Sequence, residues 1–254
     1  MRQVLDRAIA VVWYAVVGIA VAIPSALAAA PGNVKDDATA AQVLARMADV
    51  YQNCKTNADA GMVKTKFITK EEEWLDEKPF TTAYVRPDRF RFEYSNKFPL
   101  SDSPTSIRHI IWANGKDVRT WWDVQPGVKK EVSLGMAIAA ATGVSSGAAH
   151  IIPRLLMSKD VGGQSVAKLV QPERLADAAL GNQQCYRIRG KGFSDKNDSI
   201  SLWISKNTLL IHRIDEASEF DDFRTEKTTT YKPQTDITIN KDKLEFNPSE
   251  QRGK

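Results

Sequence analysis

The sequence predicts an α+β protein: one strongly curved antiparallel sheet, covered by an N-terminal helix and a central helical lid. Three observations predict it. Apolar residues at Ala41, Leu44, Ala45, Ala48 and Tyr51 recur at helical spacing. From Gly61 onward the chain breaks into short segments rich in Val, Ile, Thr and aromatics, separated by turn formers. Amid these segments runs a greasy stretch, Ser133 to Ser158, whose only permanent charge is Arg154.

The first element is an amphipathic helix from Ala38 to Tyr51, with Asp36 or Asp37 available as its cap. The clearest strand pair is Ile107 to Ala113 and Lys116 to Asp123, joined by Asn114-Gly115, because Asn-Gly in a two-residue loop matches strand twist. That loop would set Ile111 opposite Val118, His109 opposite Thr120 and Ile107 opposite Trp122 on an interior face. Arg108, Ile110, Trp112, Asp117, Arg119 and Trp121 would then face solvent or the N-terminal helix. Upstream, Phe90, Phe92 and Tyr94 alternate with Arg89, Arg91 and Glu93, so three aromatics share one face of a strand.

The greasy stretch is interrupted by Gly135, Gly143, Gly147 and Pro153 too often for a membrane span, and reads as two short helices lying on the sheet. Further strands are expected near Ser165–Val170, Gln184–Arg189, Ser199–Ser205, Leu209–Ala217 and Phe223–Tyr231.

Residues 1–28 have the layout of a secretory signal peptide: Arg2 and Arg7, an uncharged run from Ala8 to Ile23, then Pro24 and small residues with Ala26 and Ala28 before a cleavage point. The competing reading is a retained membrane anchor. Cleavage would leave residues 29–254 as a single domain in the periplasm. The only cysteines, Cys54 and Cys185, would pair there as a disulfide closing a long loop. A formal charge of +4, spread without a Lys/Arg stripe interleaved with aromatics, argues against nucleic acid.

The run Tyr84-Val85-Arg86-Pro87-Asp88-Arg89-Phe90-Arg91-Phe92-Glu93-Tyr94, followed by Ile111-Trp112-Ala113-Asn114-Gly115-Lys116-Asp117-Val118, resembles the periplasmic lipoprotein-carrier (LolA-like) family. The family carries Arg-Pro-x-x-Phe entering a strand and then an Asp/Asn-Gly-Lys hairpin. The resemblance implies an unclosed β-barrel covered by helices, with a hollow that takes up acyl chains. It also implies that Arg86 helps hold the lid shut and that Phe90 supports the cavity. This chain departs from the pattern in its cysteine pair, its longer C-terminal half and its small residues between Gly147 and Pro153.

The expected ligand-binding walls are Phe90, Phe92, Tyr94, Ile111, Val118 and Trp122 beside Arg86. The lid would contribute Met136, Ile138, Ile151, Ile152, Leu155, Leu156 and Met157. Burial of methylenes would drive binding at about 0.8 kcal/mol each, with no catalytic group, cofactor or metal. The competing structural reading is an ordinary filled core. The expected function is a monomeric soluble periplasmic carrier or chaperone for the acyl chains of a lipid or lipoprotein, with a membrane-protein donor or acceptor. The alternative is an envelope-stress sensor or scaffold of the same fold regulating a membrane partner.

A hydrolase is the weakest reading. Gly143-Val144-Ser145-Ser146-Gly147 imitates a nucleophile elbow, but a helical run precedes it where a strand is required. His109, His150 and His212 lack metal-ligand spacing, and His150 reads as a structural histidine. Glu71-Glu72-Glu73 and Asp221-Asp222 read as solvated faces or turns.

Overall fold

In the N-terminal helix, α1 (Ala40–Asn53), the buried residues Ala40, Val43, Leu44, Met47, Ala48 and Tyr51 form the stripe that the sequence spacing implies. The computed structural model describes residues 36–96, 106–192 and 198–248. The helix begins at Thr39, whose hydroxyl accepts from the Gln42 amide at 3.2 Å, while the Gln42 side chain accepts from the Thr39 amide at 2.8 Å. This reciprocal capping box, not Asp36 or Asp37, sets the start.

The strands are β1 (Thr56–Thr69), β2 (Glu73–Val85), β3 (Arg89–Asn96), β4 (Ile107–Asn114), β5 (Asp117–Trp122) and β6 (Gln125–Lys130). After the lid helices α2 (Leu134–Val144) and α3 (Ala148–Leu156) come β7 (Val170–Leu180), β8 (Gln183–Lys191), β9 (Ser199–Ser205), β10 (Ile211–Glu219), β11 (Phe223–Tyr231) and β12 (Gln234–Thr235). They form one antiparallel sheet in the order β6-β5-β4-β3-β2-β1-β11-β10-β9-β8-β7, with β12 beside the start of β1. The edges β6 and β7 do not pair, so the barrel is unclosed. At one end α2 packs on β4 and β5, and at the other α1 packs on β7, with α3 against both helices. The sheet thus bends around the helices as around a plug. The chain from Ala38 onward forms one compact unit; the expected leader lies outside the described residues.

The β4–β5 hairpin corrects the expected register. Asn114 pairs with Asp117, leaving Gly115-Lys116 as the turn, so Ala113 opposes Val118, Ile111 opposes Thr120 and His109 opposes Trp122. Gly115 takes φ +61°, the conformation that glycine accommodates. A slip of two residues preserves parity, so each side chain keeps its expected face. The opposite face meets solvent at the hairpin end, where Asp117 and Arg119 are exposed, but further along it is covered by the C-terminal tail and not by α1: Ile110 and Trp112 are buried beneath Phe246, with Trp121 beside them. Arg91 fastens that tail by donating to the carbonyls of Asp242 at 3.0 Å and Glu245 at 2.8 Å.

The strand expected at Ser165–Val170 is instead a short 3₁₀ turn, Val166–Lys168, and β7 follows it. β7 is an edge strand, mostly exposed and twice bulged, so no alternation marks it in sequence. The expected disulfide is also corrected: Cys54 and Cys185 are both free and buried. Cys54 sits in the core at the end of α1, its thiol donating to the Tyr51 carbonyl at 3.3 Å. Cys185 alternates with Tyr186 and Ile188, which enter that core, so its thiol leaves by the other face of β8.

Phe246→Ala should leave the fold intact and lower stability by about 3 kcal/mol, because it uncovers Trp112 and Ile110. Urea unfolding should show a reduced midpoint with an unchanged slope.

Candidate functional site: the lid and the concave face

The lid is two short helices of small and aliphatic residues. Ala137, Ile138 and Ala141 of α2, and Ala148, Ala149, Ile152, Leu155 and Leu156 of α3, are buried against the concave face. The turn between them needs Gly147, at φ +92°, and is held internally by Ser145, whose hydroxyl accepts from the Ala149 amide at 3.1 Å. Two lysines clasp this turn from the sheet. Lys78 of β2 reaches the Ser146 hydroxyl at 3.0 Å and pairs with Asp76. Lys227 of β11 donates to the Ser146 carbonyl at 3.2 Å and pairs with Glu216 at 2.8 Å.

The far end of the lid is held by Arg86. Its guanidinium donates to the carbonyls of Cys54 at 3.0 Å and Tyr51 at 3.4 Å, at the end of α1, and to Leu156 at 3.5 Å, the last residue of α3. Carbonyls at helix C-termini lack intrahelical partners and carry partial negative charge, so one cation tying two of them is favourable. Beyond α3 the chain is tied back by Arg154, which donates to the carbonyls of Gly163 at 3.0 Å and Ser158 at 2.9 Å, and by a 2.8 Å contact between His150 Nε2 and the Gly162 carbonyl.

Most of the expected lining meets beneath the lid. Phe90, Phe92, Tyr94, Ile111, Val118, Ile138, Ile152, Leu155, Leu156 and Met157 belong to one buried cluster, with Ile151 partly buried at its margin. Two do not. Met136 points outward from α2 and is 60% exposed, and Trp122 lies at the rim, 36% exposed. Met136 occupies the first turn of a helix whose buried stripe runs through Ala137, Ile138 and Ala141.

In this conformation the described cavities under the lid are small. One of about 140 Å³ lies between α3 and the β9–β11 strands, lined by Ile151, Val166, Ile200 and Ile214 with Glu216 and Lys227. Another of about 140 Å³ lies between α2 and β4–β6, near His109, Trp122 and Glu131. Each is of the size that admits a benzene-like molecule, so a longer chain needs the lid to move. A much wider groove, about 1480 Å³, lies on the convex side between the tail and β1–β3, but it is open and lined largely by polar groups.

Sequence reasoning missed a polar stripe on the concave face. Asn57, Asp59 and Thr65 of β1, Thr82 of β2, and Thr229 and Tyr231 of β11 are all buried there. Polar residues in a strand ordinarily face water, so their types concealed them; only their parity with Val63 and Phe80, which enter the core, places them inside. Burial drives the Asp59 carboxyl from 3.8 up to about 7, against the pull of the amides of Lys232 and Ala60. Burial, followed by the Asp59 charge, raises the phenols of Tyr51 and Tyr231.

Among the described residues no group of His, Cys, Asp or Glu could hold a metal ion, and no helix is long and apolar enough to cross a membrane. Ser145 and Ser146 sit between two helices, one capping α3 and the other held by lysine, which is not the strand-to-helix turn of a nucleophile elbow.

An unclosed antiparallel half-barrel plugged by helices, with an apolar concave face and an arginine at the lid terminus, defines the fold class. Several solved structures resemble this chain. LprF from Mycobacterium bovis is similar at TM-score 0.47 and 10% identity, over 79% of this chain and 94% of that one. A putative outer membrane lipoprotein-sorting protein domain from Vibrio parahaemolyticus is similar at 0.35 and 10%, over 79% and 94%. A LolA superfamily protein from Nitrosomonas europaea is similar at 0.32 and 11%, over 84% and 99%. These values confine the likeness to the outline of the fold. The sequence matches no protein-family model. It matches no curated protein either.

Asp59 gives a signed pH dependence. Between 3.8 and about 7 the folded protein holds a proton that the unfolded chain releases, so the stability from this site is full below 3.8 and is lost as pH rises through about 7. Asp59→Asn should remove that component. Wild-type minus variant stability, from denaturant melts at pH 4 to pH 8, should fall with pH and then flatten; a constant difference would contradict it.

Proposed function

We propose that this protein is a soluble periplasmic carrier or chaperone that takes the acyl chains of a lipid or lipoprotein beneath a movable lid. The observation that carries this reading is Arg86, which links the ends of α1 and α3 through carbonyls and, among the described residues, no carboxylate. Such a latch is strong enough to hold a closed state and weak enough to release it: charged hydrogen bonds contribute about 1.5–3 kcal/mol each, and long ones less. Beneath it lies an almost wholly apolar cluster from both halves of the sheet, including Phe90, Phe92, Ile188 and Leu202. Opening the lid would offer an incoming chain about 0.8 kcal/mol per buried methylene. Export through residues 1–28 and a single binding domain over residues 29–254 complete the proposal.

Arg86→Leu tests it. The variant should remain folded but open more readily by about tenfold, on the order of 1–2 kcal/mol. Amides 148–156 should exchange faster, and a fluorescent fatty-acid probe should load and leave faster. Unchanged exchange and unchanged probe kinetics would refute the latch.

A second reading, a scaffold that engages a membrane partner, is favoured by one surface. Past the lysine clasp, β1, β2 and β11 project with Phe67 stacked on Trp74 at 4.9 Å and Phe220 on Phe223 at 4.4 Å. Trp74, Phe220 and Phe223 are 40%, 50% and 38% exposed. Glu71, Glu72, Glu73, Glu219, Asp221 and Asp222 lie in or beside the turns that carry these rings, against Lys66, which pairs with Glu73 at 2.6 Å, Lys70 and Arg224, so the tip has more acidic than basic groups on a chain of net positive charge. Trp74→Ser with Phe220→Ser should abolish binding of a basic amphipathic peptide without altering loading of the fatty-acid probe; equal peptide binding would dismiss the surface.

A further inference from the structure

We infer that the concave face of β1 carries a hydrogen-bonding seat for the uncharged glyceryl head of an acylglycerol, formed by Asn57, Asp59, Thr82, Thr229 and Tyr231. The inference rests on the carrier reading and names the part of the cargo that the chain-binding surface alone leaves open. Strand pairing gathers these residues: Asp59 opposes Thr82, Gly61 opposes both Phe80 and Tyr231, and Val63 opposes Thr229. Asn57 lies two residues before Asp59 on the same face. All five are nearly withdrawn from solvent, from 0% exposed at Asn57 to 5% at Asp59.

Most of their polar atoms are nonetheless unmatched. Both side-chain atoms of Asn57, Oδ2 of Asp59 and the hydroxyl of Thr82 make no hydrogen bond within the protein, while the phenol of Tyr231 interacts with the Thr229 hydroxyl. Asp59 uses only its other oxygen, accepting from the Lys232 amide at 2.8 Å. An unmatched buried polar atom costs about 1–3 kcal/mol, and valine or phenylalanine of the same shape would avoid that cost. A strip that retains several such atoms in the centre of an apolar concavity is built for an occupant that hydrogen-bonds.

The chemistry of the strip selects that occupant. It offers donors from Asn57, the threonines and Tyr231, and acceptors from Asn57 and Asp59, which suits hydroxyl and ester groups. No arginine or lysine is among its members. The nearest inward-facing lysines, Lys78 and Lys227, are already committed to the Ser146 turn and to Asp76 and Glu216. A carboxylate or phosphate would meet Asp59 with no cation to balance it, so a neutral head is preferred over an anionic one. Phe80, Phe92, Tyr84 and Met47 flank the strip in the same buried cluster and supply the surroundings for the attached chain.

The test compares 1-monopalmitoylglycerol with palmitate at pH 8 by displacement of a fluorescent fatty-acid probe from the full chain. The wild-type protein should prefer the monoacylglycerol by tenfold or more. Asn57→Leu with Thr82→Val should erase the preference while leaving palmitate binding and thermal stability equal or improved, since unmatched groups are removed at both positions. Asp59→Asn should strengthen palmitate binding and shrink the preference from the other side. Equal binding of the two ligands by the wild type, or a preference that survives in the double variant, would show a strip that holds water only and would overturn the inference. Displacement of the probe by neither ligand would overturn the carrier reading with it.

Discussion

An antiparallel sheet that curves without closing leaves its apolar concave face needing a second layer, and every other feature of this molecule answers that constraint. A closed barrel would fill its own interior from facing strands. Here β6 and β7 stay apart, so α1, α2 and α3 must supply the missing side chains. Helices that act as a plug are attached less firmly than strands in a ladder, because their backbone hydrogen bonds are spent within themselves. What joins them to the sheet is apolar burial together with a few polar ties at their ends: Arg86 at one, Lys78 and Lys227 at the other.

On the proposed carrier function, that division of labour would let a well-packed protein also be a container. Phe90, Phe92, Ile111 and Leu202 are fully buried with the lid in place, and the spaces left are small. On that proposal, a closed interior and a binding interior would be two arrangements of one set of contacts, exchanged by withdrawal of helices of small residues. Alanine and glycine along α2 bury little area per residue, so their departure sacrifices less than that of a leucine-rich helix would. The convex face plays the opposite role: Phe246, gripped among Trp112, Trp121 and the Arg91–Glu93–Arg108 network, stiffens the β3–β5 half against which α2 rests.

What was legible in the sequence was whatever depends on period and parity. Phe90, Phe92 and Tyr94 enter the core because they alternate with Arg91 and Glu93, and the faces of the 107–122 hairpin survived an error in its register because a slip of two residues leaves parity alone. The two lid helices were visible as a run with a single charge, Arg154, broken by glycine and proline. The edge strand β7 was not legible, since exposure on both faces erases alternation. Nor was the cover of the convex face, for a lone Phe246 in a polar tail has no periodicity to announce it.

The sequence by itself determined the local elements, the side of each strand that turns inward and the presence of a helical lid, because these follow from spacing along one chain. Only the tertiary structure decided what is shared between distant segments. The pairing of β1 with β11 brings Tyr231 and Thr229 to Asp59, and the meeting of two helix ends gives Arg86 its carbonyls. The separation of Cys54 and Cys185 onto opposite faces was decided there as well. The physical reason is that chain-distant contacts depend on how a sheet curves and closes, a property of all its strands together that no single stretch of residues encodes.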